Sequence, residues 1–131
     1  MGTKGSHPLR VGSDVVTCRR LVSQLAETLK FSATGRTLLV TAASEIARNT
    51  VIHGGGGELH WEVVGDSVHR GIKLEFLDRG PGISNVTLAM TDGWSSGGGL
   101  GLGLPGARRL VHEFAIESSA AGTRVTITRW K

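Results

Sequence analysis

The chain has 131 residues, a length that suits one compact domain. Hydrophobic residues make up 39%, enough for a core, while aromatics stand at 5% with no tyrosine, fewer than base-stacking RNA platforms usually carry. The formal charge is +4, but the basic residues are scattered, with only the pairs Arg19-Arg20 and Arg108-Arg109 and no long basic run; this points away from nucleic acid and toward a protein that handles a nucleotide or meets an acidic partner.

Residues 1 to 7 read as a flexible tail, and residues 8 to 131 as a single domain. The opening "MGTKGSHPLR" has no apolar signal core, and no apolar run approaches membrane-spanning length, so a soluble, cytoplasmic protein without a membrane partner is expected. "PLRV" reads as a short strand. Ser13 and Asp14 are good N-cap residues, and Val15, Cys18, Leu21, Val22, Leu25, Ala26 and Leu29 then recur at helical spacing, predicting a helix over about 14–30. Cys18, the chain's one cysteine, excludes an internal disulfide and reads as a small apolar packing residue. Ser32 or Thr34 caps a second helix, with Leu38, Leu39, Ala42, Ala43, Ile46 and Ala47 as its apolar stripe; it ends near Ile52, where the tetraglycine at 54–57 is the strongest stop signal in the chain.

"ELHWEVV" and "IKLEFL" alternate apolar and polar residues as half-buried strands do, with "VGDSVHRG" as the connection between them. A loop from Ile83 to Gly97 follows, with a short helical piece around "VTLAM", then a helix from about Pro105 to Glu113. "FAIES" and "TRVTITRW" form a last hairpin around "SAAG". The order β-α-α-β-β-α-β-β predicts an α+β fold: a two-layer sandwich with helices on one face of a mixed, largely antiparallel sheet.

Three stretches carry possible chemistry. "GGGLGLGLPGARRL" (97–110) holds six glycines in fourteen residues. A flexible linker has no use for the regularly spaced Leu100, Leu102 and Leu104, whereas a glycine loop feeding a helix N-terminus suits phosphate, because free N–H groups and the helix dipole face the anion. Gly101-x-Gly103-x-x-Gly106 matches a dinucleotide fingerprint only as a string: no strand precedes it and no βαβ unit follows. GxxxxGK[ST] is absent. "DRGPG" places Asp78, Gly80 and Gly82 just after a strand, and two readings stand side by side: ordinary turn chemistry, or a carboxylate that accepts from a base amino group while the glycines let a flat ring approach. Glu45 and Asn49, four apart, share a helix face. They read either as a solvated polar face with Arg48, or as an Asn oxygen ligand for Mg²⁺ beside a carboxylate that orients or deprotonates a hydroxyl. The histidines lack the tight spacing of a zinc site.

Each piece is common alone; their ordered combination is specific. "SEIARN" (44–49), "DRGPG" (78–82), "GGLGLGLPG" (98–106) and "AAGTRVTI" (120–127) resemble in turn the N box, G1 box, G2 box and closing Gly-Thr segment of the GHKL (Bergerat-fold) ATP-binding family, over about residues 9 to 130. "DGWSSGGGLGLGLPGARRLVHEF" is very similar to the switch serine/threonine kinases of the stressosome. The resemblance implies an ATP- and Mg²⁺-dependent serine/threonine protein kinase. Asn49 would coordinate Mg²⁺, Glu45 would be the catalytic base or orienter, and Arg48 would sit near the nucleotide. Asp78 would bind the adenine amino group with Gly80 and Gly82 giving the ring access, and Thr123 would join that network. Gly99, Gly101 and Gly103 would bring backbone N–H groups to the phosphates. The implied partners are STAS-domain proteins and a PP2C-type phosphatase activated by binding. The rival expectations are an anti-sigma factor and kinase that sequesters a sigma factor, and a pseudoenzyme that holds ATP as a structural ligand. The segment between Gly82 and Gly99 is short for an ATP lid, which suggests an open site completed by a partner.

Overall fold

The computed structural model describes residues 3–83, 90 and 103–131. In chain order the elements are β1 (Lys4–Leu9), α1 (Gly12–Thr28), α2 (Ala33–Ile52), β2 (Gly57–Gly65), β3 (Arg70–Asp78), α3 (Leu104–Arg109), β4 (Glu113–Ser119) and β5 (Gly122–Trp130). This is the predicted order. The strands form one sheet, β1-β2-β3-β5-β4. All four pairings are antiparallel, so the sheet has no parallel pair among the described residues.

Strand alternation builds the core. Register lines up Leu59–Phe76–Val125 and Trp61–Leu74–Ile127 across β2, β3 and β5, all buried on one face, while Glu58, His60 and Glu62 between them point to solvent. Helix α2 lies over the buried face and sends Leu39, Ala42, Ala43, Ile46 and Ala47 into it; α1 packs beside α2 through Val15, Cys18, Val22, Leu25 and Ala26. The run of alanines in α2 keeps the helix close to the sheet, which brings the polar residues of its last turns to the sheet's end.

Strand β1 begins at Lys4, so residues 4–7, expected to belong to a tail, pair with β2 from Lys4↔Glu62 to His7↔Leu59. The polar, glycine-bearing sequence there has no strand signal of its own; the open edge of β2 supplies the partner. Helix α1 starts two residues earlier than its pattern predicts. Val11 is its N-cap, Ser13 lies inside the first turn, and the Asp14 carboxylate accepts from the backbone N–H of Arg10 (2.8 Å) and Val11 (3.1 Å). Those two bonds hold the Asp14 carboxyl below its ordinary value. Ser32 caps α2 as predicted, accepting from Gly35 N at 3.0 Å. Helix α3 ends at Arg109 rather than near Glu113, because His112 N already donates to Thr128 O and the chain has turned into the sheet edge. The expected helical piece around "VTLAM" lies outside the described residues except for Met90.

Burial pushes the Cys18 thiol up from its ordinary 9.0 to about 12. The thiolate is the reactive form, so Cys18 should resist a thiol reagent at pH 8 in the folded chain and react fully once guanidinium unfolds it. The raised value also sets a sign: the neutral thiol contributes stability that is complete below pH 9 and is lost as pH rises toward 12. Fast modification under native conditions would contradict this packing.

Candidate functional site

Helix α2 ends at the same end of the sheet as the last residue of β3. Asn49 O accepts from both His53 N (2.9 Å) and Gly54 N (3.0 Å), which closes the helix and turns the chain toward Asp78. Gly54 then lies flat against that carboxylate: a Cβ there would stand 2.4 Å from Asp78 Cγ and 2.5 Å from Oδ2. Gly80 meets Gly54 from the other side, with room for a Cβ only 2.6 Å from the Gly54 carbonyl oxygen. Two bare backbones therefore pack together around one carboxylate.

Asp78 sits opposite Thr123 in the β3–β5 register. Its Oδ1 accepts from Gly80 N (2.9 Å) and from Thr123 N (3.2 Å). Both of its hydrogen bonds among the described residues fall on Oδ1, and Oδ2 lies on the Gly54 side. Thr123 Oγ1 is 2.7 Å from Ser118 Oγ on β4, and Ser118 Oγ in turn accepts from Ile83 N at 2.7 Å. Gly82 completes this corner. Its φ is +79°, and a Cβ on it would lie 2.0 Å from Ser119 O, so only glycine passes here.

A pocket that opens to solvent lies between α2 and the sheet. Its walls include Asn49, Asp78, Gly82 and Thr123, and its floor is apolar, from Ile46, Phe76, Leu104 and Val125. An apolar slot with a carboxylate and a hydroxyl on one wall suits a flat heteroaromatic ring with a polar edge.

Glu45 stands one helical turn from Asn49. Its Oε1 accepts from Arg48 Nη1 at 3.1 Å, and both side chains are about half exposed, so the pair is a weak surface contact. Its Oε2 lies against Gly103, where an added Cβ would approach to 2.5 Å. Gly103 has φ +66° and is the N-cap of α3.

The structure thus gathers Asn49, Asp78, Gly82 and Thr123 in one pocket, with Glu45 and Gly103 together beside it. Gly80 is near but faces Gly54 rather than the pocket. Gly99 and Gly101 lie outside the described residues. Arg79 is exposed. The sequence reading missed Gly54 and Ser118. The tetraglycine read as a helix stop, which it is, but its first residue is also the back wall of Asp78. Ser118 carries no signal of its own, since its neighbours Thr123 and Ile83 meet it only through the sheet and the loop.

A family model for the histidine kinase-like ATPase domain matches residues 9–129, nearly all of the chain. The chain belongs to this family. Within the histidine kinase-like ATPases it is 40% identical over 118 residues to the serine/threonine-protein kinase RsbT of Bacillus subtilis, covering 89% of each chain. Among solved structures it is similar to the RsbU and RsbW domains of Rv1364c from Mycobacterium tuberculosis, at 20% identity and a TM-score of 0.66, covering 99% of this chain and 33% of that one. It spans about a third of that longer protein. The catalytic domain of the histidine kinase ThkA matches at 15% identity and a TM-score of 0.56, with 99% of each chain covered. These two likenesses show the fold, which is that of the ATPase family over the full described chain.

No helix among the described residues is long and apolar enough to cross a membrane. Nor do the described residues include a group of three or more His, Cys, Asp or Glu able to hold a metal ion. A cation carried on a triphosphate needs no such cluster: Mg²⁺ keeps several waters and takes one or two protein oxygens, and the pocket-lining Asn49 fits that demand.

Proposed function

We propose that this chain is an ATP- and Mg²⁺-dependent serine/threonine protein kinase whose substrate is a STAS-domain antagonist protein in a stress-signalling partner switch. The observation that carries the reading is that Asn49 and Asp78 line one largely apolar pocket, with Glu45 one turn before Asn49 on α2. The 40% identity to a serine/threonine-protein kinase supports the same chemistry.

Each residue has one task. Asp78 Oδ2 accepts from the exocyclic amino group of adenine, while Oδ1 stays bound to the backbone of the loop. Phe76, Ile46 and Val125 cover the ring. Asn49 offers its amide oxygen to Mg²⁺, which when bound neutralises charge on the phosphates. Gly103, with Gly99 and Gly101 before it, brings backbone N–H groups to the phosphate oxygens. Glu45 orients the partner's serine or threonine hydroxyl. As the new O–P bond forms, the hydroxyl proton passes to the Glu45 carboxylate, the bond from the γ-phosphorus to its bridging oxygen breaks, and ADP leaves. A domain this small has little room for a peptide cleft, so choice of substrate falls to docking of the folded partner. A PP2C-type phosphatase that is activated by binding is the second partner, and the cytoplasm is the compartment.

The test is to incubate the protein with ATP, Mg²⁺ and the STAS-domain protein encoded beside it, then weigh the STAS protein intact. The reading predicts the mass of one phosphate on the STAS protein, absent when EDTA removes the magnesium. ATP binding without transfer would favour the sequestering or pseudoenzyme reading instead.

A further inference from the structure

We propose that Ser118 is a nucleobase-specificity residue: it fixes the Thr123 hydroxyl as a hydrogen-bond donor toward the pocket, and so selects adenine over guanine. The inference rests on the ATP-site reading above and adds to it a residue on the edge strand β4.

Ser118 Oγ accepts the backbone N–H of Ile83 at 2.7 Å. An amide always donates, so the direction of this bond is fixed. A hydroxyl has one proton to give. The other partner of Ser118 among the described residues is Thr123 Oγ1, also at 2.7 Å. A hydroxyl that already accepts a hydrogen bond is polarised into a better donor. Either hydroxyl could donate across the 2.7 Å contact, and this polarisation favours Ser118, giving a chain from Ile83 N–H to Ser118 Oγ–H to Thr123 Oγ1. Thr123 is left with its own proton to direct into the pocket that it lines.

The pocket wall then presents two groups of opposite character: an acceptor at Asp78 and a donor at Thr123. Adenine offers the complement, an amino donor at position 6 beside a ring-nitrogen acceptor at position 1. Guanine offers the reverse, a carbonyl acceptor at position 6 and an N–H donor at position 1, and would set acceptor against acceptor and donor against donor. The selection needs a direct contact from Thr123, since a bridging water can either donate or accept. Gly82 belongs to the device: its positive φ and close approach to Ser119 O bring the next residue, Ile83, onto Ser118.

The experiment is a titration of ATP and of GTP, each with Mg²⁺, against wild type, Ser118→Ala and Ser118→Thr, with thermal unfolding of each. The expected result is a roughly five- to tenfold weakening of ATP by Ser118→Ala with a smaller change for GTP, so that the ATP-to-GTP preference falls, and recovery of most of it in Ser118→Thr. Equal loss of both nucleotides would overturn the inference, because displacement of the loop alone weakens every base alike; so would unchanged ATP affinity. Failure of wild type to bind either nucleotide would overturn the ATP-site reading itself, and is distinguishable because it appears before any substitution is made.

Discussion

Asp78→Asn should abolish measurable ATP binding under conditions where wild type is saturated, with a loss of about a hundredfold, or about 3 kcal/mol. The change keeps the shape of the side chain and removes the charge. It also creates a conflict that rotation cannot relieve. With its amide oxygen toward Gly80 N and Thr123 N, where Asp78 Oδ1 now accepts both, the new NH₂ faces the adenine amino group, donor against donor. With the amide turned over, the NH₂ faces the two backbone N–H groups and the loop loses both bonds. Isothermal titration with ATP reads the first effect. Thermal unfolding should fall by only a few degrees, since at most two backbone hydrogen bonds near the surface weaken. Near-wild-type affinity would mean that Asp78 is a turn residue and that the base lies elsewhere.

Gly54→Ala should have a loss of similar size, from a pocket-lining residue packed on the Asp78 carboxylate. The backbone at Gly54 does not need glycine for its own conformation, because its φ is not among the positive values. The obstacle is the 2.4 Å approach to Asp78 Cγ: a methyl group there forces the carboxylate to move toward the pocket or the helix end to move away. The neighbouring glycine is the control. Gly55 has φ +74° and open space around it, so Gly55→Ala costs roughly 1 kcal/mol of stability through backbone strain and leaves the pocket alone. The pair should separate cleanly: Gly54→Ala loses ATP affinity by more than tenfold, and Gly55→Ala loses stability while keeping it. If Gly54→Ala bound ATP as well as Gly55→Ala does, the packing of Gly54 on Asp78 would have no part in the site.

Much of this architecture is legible in the sequence, for identifiable reasons. Helix α2 announced itself through Ser32 at its cap, a wide apolar stripe and a glycine stop, all of them local signals. Strands β2 and β3 alternate cleanly because one face of the sheet is solvated. The resemblance to the ATP-binding family links Asp78 with Thr123, and the register sets them directly opposite each other. What escaped was non-local. Lys4 to His7 form a strand only because β2 offers an edge to pair with. The helical pattern runs past the end of α3 because Leu110 and Val111 continue it while packing against the core from a turn. Gly54 and Ser118 act on partners 24 and 35 residues away in sequence, Asp78 and Ile83, and no periodicity connects such positions.

The central claim is that one end of this pocket holds the nucleotide through Asp78 and its supports, while a separate carboxylate, Glu45, serves the transfer alone. The measurement that tests it most directly compares Glu45→Gln with wild type in two readouts on the same samples: ATP affinity, and the rate of phosphate transfer to the STAS-domain partner. Gln keeps the size of the side chain, including its packing against Gly103, but cannot take the proton. The account predicts ATP affinity within about twofold of wild type and transfer slowed by roughly a hundredfold or more. Equal rates of transfer in the two proteins would contradict it, and would remove Glu45 from the chemistry.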